Sequence, residues 1–306
     1  MMVLEAWIPE HRLPLYIGAD VAHQSFNFGF LKATWGVETM RAAIRKPLEL
    51  ADAVGAPTTW VLSNHDVIRH ASRYGFVADY EFGEGLARDE VPDAELGLRR
   101  ARAATLLMLS LPGGAYLYQG EELGLPEVRD IPDELREDPS HHRAGVPGRD
   151  GCRVPIPWQR DAPAYGFSAT GQSWLPQPPE FGPLAVDAQQ GVPGSTLELY
   201  RRALALRREL GLGRQEDPVE FPQDLPDGVL AVRRGAVTVL VNTSEAEVTL
   251  PQDSPLASAE LLISSHPEQA DHPDHSEQAG PRDHADQAGP RTIPADATVW
   301  LRSTRA

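Results

Sequence analysis

The stretch TTWVLSNHDVIRH, residues 58–70, changes character halfway along. Residues 58–62 are β-branched, aromatic or aliphatic and suit a buried strand. Asn64, His65 and Asp66 follow at once, ahead of a segment that reads as the start of a helix. A strand that runs through a polar turn into a helix is the unit from which parallel sheets are built, and such sheets hold ligands at the carboxyl ends of their strands. The three polar residues are therefore candidate site residues. Capping of the following helix by Asn64 or Asp66, with a structural His65, is the other reading of the same pattern.

Working outward, strand-like runs at 3–8, 26–31 and 115–118 alternate with helical segments at 37–54 and 94–109. That alternation predicts repeated strand-helix units around a parallel sheet. Two further strand ends are polar. Glu5 stands inside VLEAWI (3–8), where burial would raise its pKa and keep it protonated, the condition for a general acid; an ion-paired or edge glutamate fits the same pattern. Gln119, Glu121 and Glu122 follow a strand in YLYQGEELGL (116–125), where the two glutamates also suit the first turn of a helix.

Residues 129–193 break the alternation and are rich in Pro, Gly, Trp and His, as expected of an irregular excursion over a functional face. A helix follows, capped by Ser195, with an apolar stripe of Leu197, Tyr200, Leu204 and Leu206 and an end at Gly211. Beyond about 215 the period changes to two. GVLAVRRGAVTVLVNTSEAEVTL (228–250) reads as a hairpin turning at Arg234-Gly235 with a further strand after Thr243-Ser244, and ATVWLR (297–302) as a last strand. The expected organisation is an α/β unit over 1–214 and a small all-β sandwich over 215–306 with a low-complexity insert at 266–291. That insert holds four histidines but almost no apolar side chains, and their spacing matches no ligand pattern, so no metal site is expected.

Across 306 residues the formal charge is -16, which argues against nucleic acid or an anionic membrane as partner and favours a neutral ligand. The single cysteine, Cys152, excludes an internal disulfide. Neither a secretory signal nor a membrane span is legible, so a cytoplasmic location is expected.

The motifs VLSNHDVIRH (61–70), LPGGAYLYQGEELGL (111–125), GRDGCRVPIPW (148–158) and SWLPQP (173–178), then STLELYRRALALRREL (195–210), together resemble the α-glucosidases and oligo-1,6-glucosidases of glycoside hydrolase family 13, the α-amylase family. The resemblance implies a (β/α)8 TIM barrel present here as its strands 5 to 8, an incomplete barrel followed by the sandwich. It implies a retaining hydrolase of short maltose- or isomaltose-type α-glucosides that needs no cofactor. Glu5 is similar to the family's acid/base and Asp66 to its transition-state stabiliser. His65, Asn64 and Arg153 are similar to its substrate-binding residues, with Arg149 and Asp150 in the same loop. The family's aspartate nucleophile lies on the fourth strand. GADVAHQ (18–24) imitates its motif through Asp20 and His23 but follows Glu5 instead of preceding it, and Gly18 stands where the motif has arginine. The chain is accordingly expected to be weakly active or inactive alone. The alternative is a noncatalytic sugar-binding or assembly module that completes a barrel with a separate N-terminal chain.

Overall fold

A computed structural model describes residues 1–76, 85–269 and 291–303. Most of the expected insert, residues 270–290 with His272, His275 and His284, lies outside the described residues. The described elements run β1 (Val3–Leu4), β2 (Gln24–Ser25), α1 (Phe28–Leu31), α2 (Val37–Asp52), β3 (Thr59–Val61), α3 (His70–Arg73), α4 (Ala94–Ser110) and β4 (Gly114–Tyr116). After these come α5 (Pro139–Ala144), α6 (Asp150–Arg153), α7 (Val186–Gln189) and α8 (Thr196–Glu209). The chain ends in β5 (Val229–Arg234), β6 (Val237–Asn242), β7 (Val248–Thr249), β8 (Glu260–Ser264), β9 (Thr292–Ile293) and β10 (Ala297–Arg302).

Strands β1 and β2 pair in parallel, as do β3 and β4. The Thr59 hydroxyl bridges the two pairs by donating to the Ser25 carbonyl at 2.6 Å. The strand expected at 26–31 is a correction. It ends at Ser25, because the Asn27 side chain accepts from the Phe30 amide at 3.1 Å and starts helix α1. The strand expected at 3–8 likewise narrows to Val3–Leu4, ahead of a 3-10 turn over Glu10–Leu15.

Helix α4 is capped by Asp93, whose carboxylate accepts from the Leu96 amide at 2.9 Å, and is buried along most of its length. Gly97 lets it lie directly on α3: a Cβ there would meet the Ala71 carbonyl oxygen at 2.1 Å. Ser195 caps α8 as expected, accepting from the Glu198 amide at 3.3 Å, and Gly211 follows the helix at φ +66°. The buried face is Leu197, Leu199, Tyr200, Ala203 and Leu206; Leu204, expected in that stripe, is exposed.

The C-terminal sheet is antiparallel in the order β5-β6-β10-β8. Register pairs Arg234 with Val237, so the hairpin turns on Gly235 and Ala236, one residue later than expected, with Gly235 at φ +55°. Strand β8 was not legible in the sequence. One face of the sheet, with Leu230, Val239 and Trp300, joins Leu106 and Leu107 of α4 in a single core; the other packs Ala231, Leu240 and Val299 with Leu250 and Ile293 beneath the β7-β9 pair. The join is also polar. Trp300 Nε1 donates to the Leu106 carbonyl at 3.1 Å, and buried Asp296 accepts from Trp35 Nε1 at 2.6 Å and Arg100 Nε at 2.8 Å. Topology changes near residue 215, but the core does not stop there. Among the described residues no helix is long and apolar enough to cross a membrane.

Candidate active site

The polar turn after β3 is held from both sides. Ser63 Oγ accepts from the His70 amide at 3.0 Å and hydrogen-bonds His70 Nδ1 at 2.8 Å, closing the loop between strand and helix. Inside it the Asp66 amide donates to Asn64 Oδ1 at 2.9 Å, an Asx turn that sets the direction in which Asp66 leaves the backbone. Val67 and Ile68 anchor the far side in the core.

Asp66 is half-buried and sits between two guanidiniums. Its Oδ1 accepts from Arg149 Nη1 at 2.8 Å and from Arg153 Nη2 at 3.0 Å. Its Oδ2 lies 3.4 Å from Nε2 of the exposed His65. Arg153 Nε donates to the His65 carbonyl at 2.8 Å, so one side chain fixes both the carboxylate and the loop that carries it. The structure thus brings Asn64, His65, Asp66 and Arg153 together.

Arg149, the lesser candidate from sequence, proves central. Buried Asp138 accepts from its Nε at 2.7 Å and its Nη2 at 3.0 Å, a bidentate pair that aims the remaining nitrogen at Asp66. The Arg149 hydrogen bond holds the Asp138 carboxyl well below the usual carboxylate range and raises the arginine in turn. Asp150 does not face the site. It is buried and accepts from the amides of Glu137 and Asp138 at 2.9 and 3.0 Å, shaping the loop that presents Asp138.

Sequence reasoning missed Arg69. It is buried, donating from Nη1 to the Gln119 carbonyl at 2.6 Å and from Nη2 to the Cys152 carbonyl at 2.8 Å, and its amide donates to Glu127 at 3.0 Å. It therefore ties the ends of β3 and β4 to α6. The available signal was a charge inside the apolar run VIRH (67–70). Burial, partly offset by Arg69 and Arg73, pushes the Glu127 carboxyl up to about 7, and burial drives His70 down to about 3, keeping it neutral. Glu121 is also buried, 3.7 Å from His70, with its carboxyl raised by desolvation.

Glu5 is a correction in one respect. It is exposed just past β1, so the burial expected of it is missing, and among the described residues no hydrogen bond or ion pair joins it to Asp66. Trp7, two residues on, stacks on the Phe28 ring with centroids 3.8 Å apart and has the Lys32 ammonium 4.6 Å from its ring. Asp20, the imitation nucleophile, is exposed, and His23 accepts from the Met2 amide at 3.0 Å.

Chemically, the assembled group is a carboxylate hydrogen-bonded through Oδ1 by two guanidiniums, with Oδ2 outside those hydrogen bonds and beside the His65 imidazole. It suits sugar hydroxyls and a developing positive charge. No group of three or more His, Cys, Asp or Glu placed to hold a metal ion occurs among the described residues.

A family model described as the α-amylase catalytic domain matches residues 1–213. The chain is 35% identical over 193 residues to a probable alpha-glucosidase of Rhizobium meliloti (strain 1021), covering 62% of this chain and 31% of that protein. It is 27% identical over 195 residues to an oligo-1,6-glucosidase of Parageobacillus thermoglucosidasius, covering 54% and 32%. Among solved structures, the alpha-glucosyl transfer enzyme XgtA superposes with a TM-score of 0.71 at 27% identity, over 98% of this chain and 50% of that one. The trehalulose synthase MutB, at 21% identity and a TM-score of 0.71, shares the fold over 98% of this chain and 55% of its own. The chain spans about a third of the length of these curated relatives and about half that of these solved structures.

Proposed function

The chain belongs to the α-amylase family, and from that premise we propose that it contributes the acid and stabilising side of an α-glucosidase site acting on short maltose- or isomaltose-type oligosaccharides. The observation that carries this reading is Asp66, held at the carboxyl end of a parallel strand by Arg149 and Arg153 through one oxygen, with the other beside His65. In this reading Asp66 holds sugar hydroxyls and stabilises the oxocarbenium-like transition state. His65 donates to the sugar being cleaved, Asn64 sets the turn, Arg153 guards the leaving-group side, and Glu5 protonates the leaving oxygen.

Retention of configuration requires a second carboxylate as nucleophile, roughly 5 Å from the acid. We assign it to strands outside residues 1–306. The same strands would cover the exposed apolar surface beside β1, where Met1, Met2, Trp7 and Leu15 face solvent. The isolated chain then hydrolyses weakly, and a half-barrel supplied upstream or by a separate chain restores the reaction. The lone buried Cys152 fits the cytoplasm, where we place the protein. The test is proton NMR of the sugar first released from an aryl α-glucoside by the completed barrel. The α anomer is expected; β-glucose as the first product, or rapid hydrolysis by the 306-residue chain alone that Asp66→Ala leaves unchanged, would overturn the reading.

A further inference from the structure

The excursion between α6 and α8 forms an open cavity that the Asp66 group does not touch. Its volume is about 470 Å³, within the range of small-ligand pockets, and its lining includes Arg160, Asp161, Tyr165, Ser173 and Gln177. Neither Asp66 nor any residue bonded to it lines the cavity.

Three features set it apart from an incidental dent between loops. The wall contains Ala164 at φ +46° and Tyr165 at φ +48°, followed by Gly166 at +73°. Consecutive left-handed residues bearing a Cβ are unfavourable and persist only where the surroundings over-determine them, which happens most often at ligand clamps and active sites. Here the amides of Trp158 and Gln159 both donate to the Tyr165 carbonyl at 2.9 Å, and the Tyr165 hydroxyl donates to the Pro178 carbonyl at 3.2 Å. Second, polar groups at the cavity are unspent. Gln177 Nε2 donates to the Pro155 carbonyl at 3.0 Å, but its Oε1 is buried with no partner, and among the described residues neither the Arg160 guanidinium nor the Asp161 carboxylate has a hydrogen bond or ion pair. Third, the same excursion exposes Trp158, Phe167 and Trp174 to solvent.

The chemistry of the lining selects the ligand. One guanidinium and one carboxylate cancel, so neither an anion nor a cation is favoured. A free carboxylate accepts from neighbouring hydroxyls, a free guanidinium donates to their oxygens, and the Tyr165 ring offers an apolar surface to a ring of C–H groups. That set matches a neutral, polyhydroxylated ring. We propose that this cavity is a second, noncatalytic carbohydrate site that takes a sugar unit of an oligosaccharide and keeps the chain on its substrate. That its occupant is a glucosyl unit rests on the function proposed above; the existence of the site does not.

The experiment is calorimetric titration of the full chain with maltotriose, run on wild type, Asp66→Asn, and Asp66→Asn combined with either Asp161→Asn or Arg160→Ala. Thermal unfolding serves as the check that each variant folds. In Asp66→Asn, binding within about twofold of one wild-type component is expected, and adding either cavity substitution should weaken that component at least tenfold. Binding that vanishes in Asp66→Asn would overturn the second site while leaving the first intact. Binding in Asp66→Asn that neither cavity substitution alters, or no binding in any protein, would also overturn it. Binding lost only with the cavity substitutions upholds the second site even should Asp66 prove to have no part in glucoside hydrolysis.

Discussion

Arg149 stands between a buried carboxylate and a half-buried one, and the two make unequal demands on it. Asp138 is buried and answered mainly by Arg149, so Arg149→Ala strands an uncompensated charge and should cost about 3 kcal/mol in urea unfolding. Arg153→Ala loses a partly exposed pair to Asp66, which Arg149 still satisfies, and an exposed hydrogen bond to the His65 carbonyl, and should cost less than Arg149→Ala, about 1 kcal/mol. Equal losses would remove the hierarchy between the two arginines. Glu127 gives a pH test. The folded protein holds its proton up to about pH 7, while the unfolded chain releases it near the ordinary value of 4.5. Stability from this group is therefore undiminished below 4.5 and lost as pH rises towards 7. Glu127→Gln should match wild type at pH 4.5 and gain on it progressively to about pH 7, by up to about 3 kcal/mol, then hold level. A difference independent of pH would contradict the raised carboxyl. At this scale Asn64, His65 and Asp66 stand out because polar groups abruptly end an apolar run, whereas Arg153 enters only through the resemblance of GRDGCR (148–153). The sequence hid Arg69, since burial of an arginine depends on carbonyls from residues 119 and 152 that only the fold brings near.

Among the elements, the long helices were legible because their caps and apolar spacing are local. Ser195 and Gly211 mark α8 in the sequence and in the structure alike. The short strands were not, for a strand of two residues has no period to read. Phe26 and Phe28 look like strand residues, and the Asn27 side chain decides otherwise. Leu204 shows the limit of an apolar stripe, since a residue at the edge of the stripe can turn outwards. Leu204→Ala should therefore change stability by no more than about 0.5 kcal/mol, whereas Leu206→Ala should cost about 2 kcal/mol or more. The contact of α3 with α4 is more exacting. Gly97→Ala drives a methyl into the Ala71 carbonyl, backbone that cannot swing aside, and should lower the melting temperature by more than 5 °C or so, the scale of a loss of several kcal/mol. A neutral outcome would mean that the helices are not packed backbone to backbone.

The molecule as a whole joins two topologies through one core, and this is where sequence periodicity misled least and explained least. The change from period 3.6 to period 2 near residue 215 was plain, but nothing local announces that Trp300 and Asp296 reach back to α4 and Trp35. Because Leu106, Leu107, Leu230 and Val239 share that core, the sheet and the helices should unfold together. The same coupling holds the Asp66 group on the core that both topologies share, and under the proposed function that group is one part of a site completed by further strands. The direct measurement is kcat/KM for an aryl α-glucoside with the barrel completed as proposed, wild type against Asp66→Asn, both folded. A fall of about a thousandfold or more is expected. Equal values would show that the carboxylate between Arg149 and Arg153 takes no part in glucoside hydrolysis.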